Sequence, residues 1–185
     1  YLSARFLKSK GELIGDKIVA TEMSNGGLKE SLSAEDISVE ECAVGDSNVY
    51  RKMSDCGAVL GGEQSGHIIF GKLENTGDGL VTALMIMEAM NGRGVPLSEL
   101  LNGFQRLPQL SVNVRVKDKA AVIKHPRVIA QAERVQAALK GHGRLILRKS
   151  GTEEVVRITV EGRSAEECER LCGELENAVR ECGEE

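Results

Sequence analysis

The chain has 185 residues, of which 41% are hydrophobic and 28% are charged, and this composition allows one large globular domain or two small ones. Its net charge of -4 lacks the basic excess that general binding to nucleic acid or to an anionic membrane requires. No apolar run approaches the roughly 18 residues of a membrane span, so we expect neither nucleic acid nor a membrane as a partner.

The five cysteines and the start of the chain indicate where the protein works. Cys168, Cys172 and Cys182 lie on the apolar stripe of the last predicted helix, and the first two are one turn apart, a spacing that suits neither a disulfide nor a complete metal site. The first residues show no signal-peptide pattern, lack an initiator Met and begin inside a predicted helix. We therefore expect a cytoplasmic protein with reduced cysteines, of which this chain is a fragment.

Residues 1–104 are predicted to form an α/β domain with a mixed sheet. The predicted elements are a helix over 2–10, a buried strand over 17–22, a helix from residue 28, a short helix within 45–57, a strand, loop and strand over 58–70, and a helix within 75–90. Asp78 is the predicted cap of the last helix. Leu80, Leu84 and Met87 repeat along it and further apolar residues widen that face, so we predict that this helix is buried.

Residues 105–185 are predicted to form a small α+β domain of order β-α-β-β-α. The strand over 110–117 alternates apolar and polar residues, which is typical of a sheet with one solvated face. The next helix has Pro126 in its first turn and ends at Gly141. Two further strands are joined by a tight Ser-Gly-Thr turn, and the last helix opens with a capping box of Ser164 and Glu167.

The Ser-Gly-Thr turn carries the residues of an anion site. Arg148 and Arg157 can supply positive charge, Ser150 and Thr152 can donate from their hydroxyls, and a turn with glycine can direct successive backbone N–H groups into one concavity. The two carboxylates at 153–154 would repel an anion unless they point away or pair with Arg148 or Lys149. A plain hairpin with solvated charges is the open alternative.

A second loop, within "GGEQSGHIIF", carries a carboxylate, a hydroxyl and an imidazole. Glu63, Ser65 and His67 are each two residues apart, so in an extended stretch they face the same way. A carboxylate beside a hydroxyl suits the hydroxyl groups of a sugar, and an imidazole near neutral pH can carry a proton. The open alternative is a surface hairpin with a structural histidine, and His125 and His142 are expected to be structural.

Taken together, "GGEQSGHIIF", "TGDGLVTAL" and "LRKSGTEEVVRITVEG" resemble the α-D-phosphohexomutase superfamily over essentially the whole chain. Gln64 favours its phosphoglucosamine mutase branch over the phosphomannomutase and phosphoglucomutase branch. The resemblance implies that the chain is the third and fourth of four domains, the fourth similar in fold to TATA-binding proteins. It also implies that the active phosphoserine and the Mg²⁺ site lie in the missing N-terminal domains of the same protein, so we expect no metal ligand in this chain.

The resemblance implies a role for each loop residue. Glu63 and Ser65 hold the hydroxyls of the sugar, and His67 lies near the transferred group as a catalytic candidate. The residues implied to grip the phosphate that is not transferred are Arg148, Ser150, Gly151 and Thr152, with Arg157 as a further member.

Three positions depart from the family pattern. Ser47 and Asn48 stand where the family usually has Arg and then Tyr or His, and Glu154 stands where it usually has proline. We expect the substrate-binding part of an intramolecular phosphotransferase that acts on a phosphorylated hexosamine, inactive by itself. The alternatives are a phosphomannomutase or phosphoglucomutase fragment and a non-catalytic phosphosugar-binding module.

Overall fold

A computed structural model of the protein describes residues 1–184. The chain divides into two compact units, one of residues 1–106 and one that begins at Leu107. The helices and strands of the first unit are α1 (Leu2–Ser9), β1 (Lys17–Thr21), α2 (Gly26–Ser33), β2 (Ser38–Cys42), α3 (Asp46–Cys56), β3 (Leu60–Gly62), β4 (Ile68–Phe70), α4 (Gly79–Arg93) and α5 (Leu97–Leu100). Those of the second unit are β5 (Gln109–Arg115), α6 (Lys119–Ile123), α7 (Pro126–Ala138), β6 (Arg144–Lys149), β7 (Val155–Glu161) and α8 (Ala165–Glu184).

The first unit is built on a four-stranded mixed sheet of order β2-β1-β3-β4, which confirms the predicted α/β class. The strands β2, β1 and β3 are parallel, and β4 runs back along β3. Successive side chains of β1 point to opposite faces, so Ile18 packs into one buried cluster and Val19 into another, with Val49 and Met53 of α3. The carboxyl ends of the three parallel strands therefore meet at one edge, from which three loops leave the sheet.

Helix α4 begins as predicted but is not buried as predicted. Asp78 caps it by accepting hydrogen bonds from the N–H groups of Leu80 and Val81 at 2.7 and 2.9 Å. Yet Leu80 is 72% exposed and Leu84 54% exposed, and among the described residues of the helix only Ala89 is buried. Covering an apolar helix face is favourable, so the pattern indicates that something packs against it. The pattern does not show that the covering residues belong to the same unit.

The second unit is a three-stranded antiparallel sheet of order β5-β7-β6 with its helices packed against one face. The apolar side chains of β5 and β7 that enter this core alternate with polar ones, as predicted. Cys168, Cys172 and Cys182 of α8 complete the core, and none of the three forms a disulfide. One short helix was not predicted: Asp118 caps α6 by accepting from two N–H groups at 2.9 Å. The predicted β-α-β-β-α order thus holds with α6 inserted before α7.

Candidate functional site

The loop over 63–67 lies at the carboxyl edge of the parallel strands. It joins β3 to β4 just beyond the last ladder pair, Gly62 with Ile68. The Glu63 N–H donates to the His67 carbonyl at 3.0 Å and the Gly66 N–H donates to the Glu63 carbonyl at 3.1 Å, so the loop is a closed, hydrogen-bonded turn. Gly66 has φ +102°, a conformation that favours glycine, which explains its place at the apex.

The structure brings the three predicted side chains of this loop together. The Nδ1 atom of His67 lies 3.4 Å from Glu63 Oε1 and 3.2 Å from Ser65 Oγ. The Glu63 side chain is only 11% exposed, whereas that of His67 is 57% exposed. The arrangement therefore consists of a fixed carboxylate at the base, with a hydroxyl and an imidazole that solvent or a ligand can reach.

Neighbouring backbone holds this cluster from two sides. The Gly45 N–H, at the start of α3, donates to Glu63 Oε2 at 3.4 Å. A Cβ on Gly77 would lie 2.9 Å from His67 Cβ, so the segment before α4 packs directly against the histidine and only glycine fits there. Burial and the charge of Glu63 both raise the pKa of the nearby Cys42 thiol. Sequence reasoning missed Gly45 and Cys42, because no pattern around them shows that they lie beside residue 63.

The loop over 150–154 of the second unit is wider than the tight Ser-Gly-Thr turn we predict. The last ladder pair is Lys149 with Val156, and five residues, 150–154, connect the strands. One bond closes it, from the Ser150 N–H to the Val155 carbonyl at 3.0 Å. The prediction of a tight turn was wrong. Contacts from residues outside the loop, and not the conformation of Gly151, support its greater width.

Within this loop Ser150 and Gly151 differ sharply. Ser150 is 3% exposed, and its Oγ accepts a hydrogen bond from the Glu153 N–H at 3.2 Å, so this hydroxyl shapes the loop. Gly151 is exposed, has no positive φ, and a Cβ there would meet nothing within 4 Å. Neither backbone conformation nor packing explains this glycine, whereas the close approach of a ligand to the backbone would.

Two arginines face each other across the strands that carry the loop. Arg148 of β6 pairs in register with Arg157 of β7, and like charges directly opposite each other in a sheet are destabilising. Arg157 is compensated by the Glu153 carboxylate, to which its Nη2 donates. The side chain of Arg148 has no hydrogen bond or ion pair with any residue that the structure describes, so one positive charge stays uncompensated on the strand that leads into Gly151 and Thr152.

The second acidic residue of the loop is held by a lysine that sequence reasoning missed. Lys119, at the start of α6, lies 3.3 Å from a carboxylate oxygen of Glu154 and donates to the Glu153 carbonyl at 2.9 Å. Both carboxylates thus pair with cations, but the partners are Arg157 and Lys119 and not Arg148 or Lys149 as expected. No local signal pointed to Lys119, which is 34 residues from Glu153 in the sequence.

Comparison with known proteins decides the family. Residues 1–107 match the model of the phosphoglucomutase/phosphomannomutase α/β/α domain III, and residues 112–178 match that of the C-terminal domain of the same family. The chain belongs to the phosphoglucomutase/phosphomannomutase family. The predicted superfamily and the predicted placement in its C-terminal half are therefore confirmed.

Among curated members of the family, the chain is 44% identical to a phosphoglucosamine mutase of Bacillus licheniformis and 42% identical to that of Bacillus subtilis, each over 180 residues. These alignments cover 97% of the chain and 40% of each relative, so the chain spans less than half the length of the enzymes it matches. An Aspergillus fumigatus N-acetylphosphoglucosamine mutase, solved in complex with GlcNAc-6P and magnesium, has a TM-score of 0.79 at 22% identity and shows the same fold over 98% of the chain and 43% of its own length.

The described residues 1–184 contain no group of three or more His, Cys, Asp or Glu side chains placed to hold a metal ion. None of the helices described is both long and apolar enough to cross a membrane. His125 and His142, expected to be structural, lie at helix ends: His125 accepts from the Arg127 N–H, and His142 contacts the Glu167 carboxylate at 3.1 Å.

Proposed function

We propose that the chain is the substrate-binding part of a phosphoglucosamine mutase, which interconverts glucosamine 6-phosphate and glucosamine 1-phosphate through a sugar bisphosphate. The observation that carries the proposal is the uncompensated Arg148 on the strand that leads into an exposed glycine and threonine, an arrangement that suits an anion. The names of the relatives that are 42–44% identical support the hexosamine as substrate. Free cysteines throughout the chain support a cytoplasmic location.

The two loops have different tasks in this proposal. In the first unit, Glu63 and Ser65 bind sugar hydroxyls, and His67 lies beside both as the candidate for moving a proton. In the second unit, Arg148 and the backbone of Gly151 and Thr152 bind the phosphate that is not transferred. Both tasks are binding and orientation, which bring reacting atoms to a productive distance.

Phosphoryl transfer itself needs groups that this chain does not supply in the proposal. The phosphoserine and the Mg²⁺ ligands belong to the part of the family's proteins that precedes domain III, and Mg²⁺ would neutralise the charge that develops on the transferred group. The residues described here offer no metal site with which to replace it. We therefore predict that the 185-residue chain alone does not interconvert the two phosphates in a coupled assay.

Calorimetric titration of the chain tests the proposal with two ligands, glucosamine 6-phosphate and inorganic phosphate. Loss of a charged hydrogen bond costs about 1.5–3 kcal/mol, so we expect R148M to weaken both ligands by roughly 10- to 150-fold. E63Q should weaken only the sugar phosphate. R134M is the matched control, because Arg134 is an exposed arginine of the same unit with no polar partner among the described residues. Equal affinities of R148M and R134M would contradict the proposal.

One observation favours the second candidate, a non-catalytic phosphosugar-binding module. Where the family usually has an arginine, the Ser47 hydroxyl donates to Asp46 and has no other side-chain bond among the described residues, and the neighbouring Asn48 donates to the Val44 carbonyl at 2.8 Å. Both side chains are thus used within their own loop and bring no positive charge to the carboxyl edge of the sheet. Turnover of glucosamine 6-phosphate by the complete gene product supports the mutase, and binding without turnover supports the module.

A further inference from the structure

We propose that Lys119 is a positioning residue of the phosphate-binding loop, although it lies outside that loop and contacts no ligand in the proposed function. From the first turn of α6 it holds the far side of the loop and so keeps the backbone of Gly151 and Thr152 open to an anion. This inference rests on the proposed function of the loop and names a residue on which its affinity depends.

The geometry of Lys119 fits the task of a fixed anchor. Its Nζ atom donates to the Glu153 carbonyl at 2.9 Å and lies 3.3 Å from Glu154 Oε1, so two of its three donors are engaged by consecutive residues. The Lys119 side chain is only 20% exposed, although lysines are usually solvated. The Asp118 cap fixes the residue next to it, so the anchor itself is held on a hydrogen-bonded helix start.

The loop needs such an anchor because few other contacts hold it, apart from the pair of the Glu153 carboxylate with Arg157. Between the strands its internal bonds are those from the Ser150 N–H and the Glu153 N–H, and neither fixes the Glu154 side chain. On the outer side the Val116 N–H donates to the Glu154 carbonyl at 3.2 Å, which fixes one backbone point. Lys119 adds a second point and pairs with the Glu154 carboxylate, whose side chain is 67% exposed.

Loss of Lys119 therefore acts on phosphate binding in two ways. The Glu153 carbonyl is released, so the loop samples other widths and the donors of Gly151 and Thr152 must be ordered when the anion binds. The Glu154 carboxylate becomes an unpaired negative charge near the ligand, which lowers affinity by repulsion. Since exposed pairs of this kind are weak, we expect the two effects together to lower affinity by about fivefold.

The test uses the 185-residue chain with inorganic phosphate as the probe, followed through the backbone NMR shifts of residues 150–152. We expect K119M to bind phosphate about fivefold more weakly, K119R to retain most of the affinity, and the double variant K119M/E154Q to recover part of the loss. K140M is the control, because Lys140 is an exposed lysine of the same unit whose side chain has no polar partner among the described residues. Its affinity should match that of the unaltered chain.

A second measurement separates positioning from general stability. Amide hydrogen exchange of residues 151–153 should become faster in K119M, while that of the buried part of α8 stays unchanged. Equal phosphate affinity of K119M and K140M, or a uniform loss of protection across the unit, would overturn the inference. If the unaltered chain shows no phosphate-dependent shift at residues 150–152, the proposed function is wrong. If the unaltered chain shows these shifts and K119M binds phosphate with the same affinity, only the role of Lys119 is wrong.

Discussion

Replacement of Glu153 by glutamine should strengthen phosphate binding, although it removes an ion pair. The Glu153 carboxylate occupies Arg157, the second arginine of the predicted anion site. An anion that binds Arg157 must first break this pair, so the pair lowers the observed affinity by its own free energy. E153Q keeps the shape of the side chain and removes the competition and the repulsion.

The structure sets the size of the effect. The side chains of Glu153 and Arg157 are 58% and 35% exposed, which places the pair among exposed ion pairs worth about 0.2–1 kcal/mol. The affinity for inorganic phosphate should therefore rise by roughly 1.5- to 5-fold, and the free energy of unfolding should fall by no more than the same amount. The gain should shrink with added salt, since salt screens exposed charges.

Calorimetric titration of inorganic phosphate into the chain at two salt concentrations measures this prediction. E174Q is the matched control: Glu174 forms a comparable pair with Arg170 at 2.8 Å on α8, and the substitution changes the net charge equally. A rise in affinity in E153Q but not in E174Q supports a local competition. Equal affinities of the two variants, or weaker binding by E153Q, would refute the reasoning that the Glu153 carboxylate competes with the anion for Arg157.

Three further outcomes follow from the structure. Gly77→Ala brings a Cβ to within 2.9 Å of His67 Cβ, so we expect the free energy of unfolding in urea to fall by about 1–3 kcal/mol and the His67 resonances to shift. Unchanged imidazole resonances would show that the site accommodates the added methyl group. Burial raises the pKa of Cys172 to about 11, so at pH 8 its thiolate is scarce and peptide mass spectrometry should find it alkylated far more slowly than the partly exposed Cys42, a difference that unfolding should abolish. Leu84→Gln, at a site 54% exposed, should lower the fluorescence of a bound hydrophobic dye while the unfolding free energy changes by less than about 0.5 kcal/mol; a larger loss would mean that this face is covered.

Local signals in the sequence predicted much of the fold because their causes are local. The Asp78 cap acts on N–H groups two and three residues away, and the alternation in β5 follows from strand geometry alone. The cluster of Glu63, Ser65 and His67 was expected from an extended stretch, but the structure forms it through a short hydrogen-bonded turn that keeps these neighbours close.

Features that depend on distant contacts could not be predicted in this way. The loop over 150–154 is bonded to Lys119 and Val116, which reach it from another part of the chain. The exposure of Leu80 depends on whether other residues pack against that face of α4. The helical spacing of apolar residues shows only that the face is hydrophobic. The pairing of Glu153 with Arg157 rather than with Arg148 likewise depends on side-chain geometry across the strands.

Backbone NMR of the 185-residue chain during titration with glucosamine 6-phosphate tests the central claim most directly. That claim is that Glu63–His67 and Arg148–Thr152 are the binding elements for the sugar and the phosphate. We predict saturable shifts of the amides in both loops, and in the phosphate loop alone when inorganic phosphate replaces the sugar phosphate. Silence of both loops at millimolar glucosamine 6-phosphate would contradict the account.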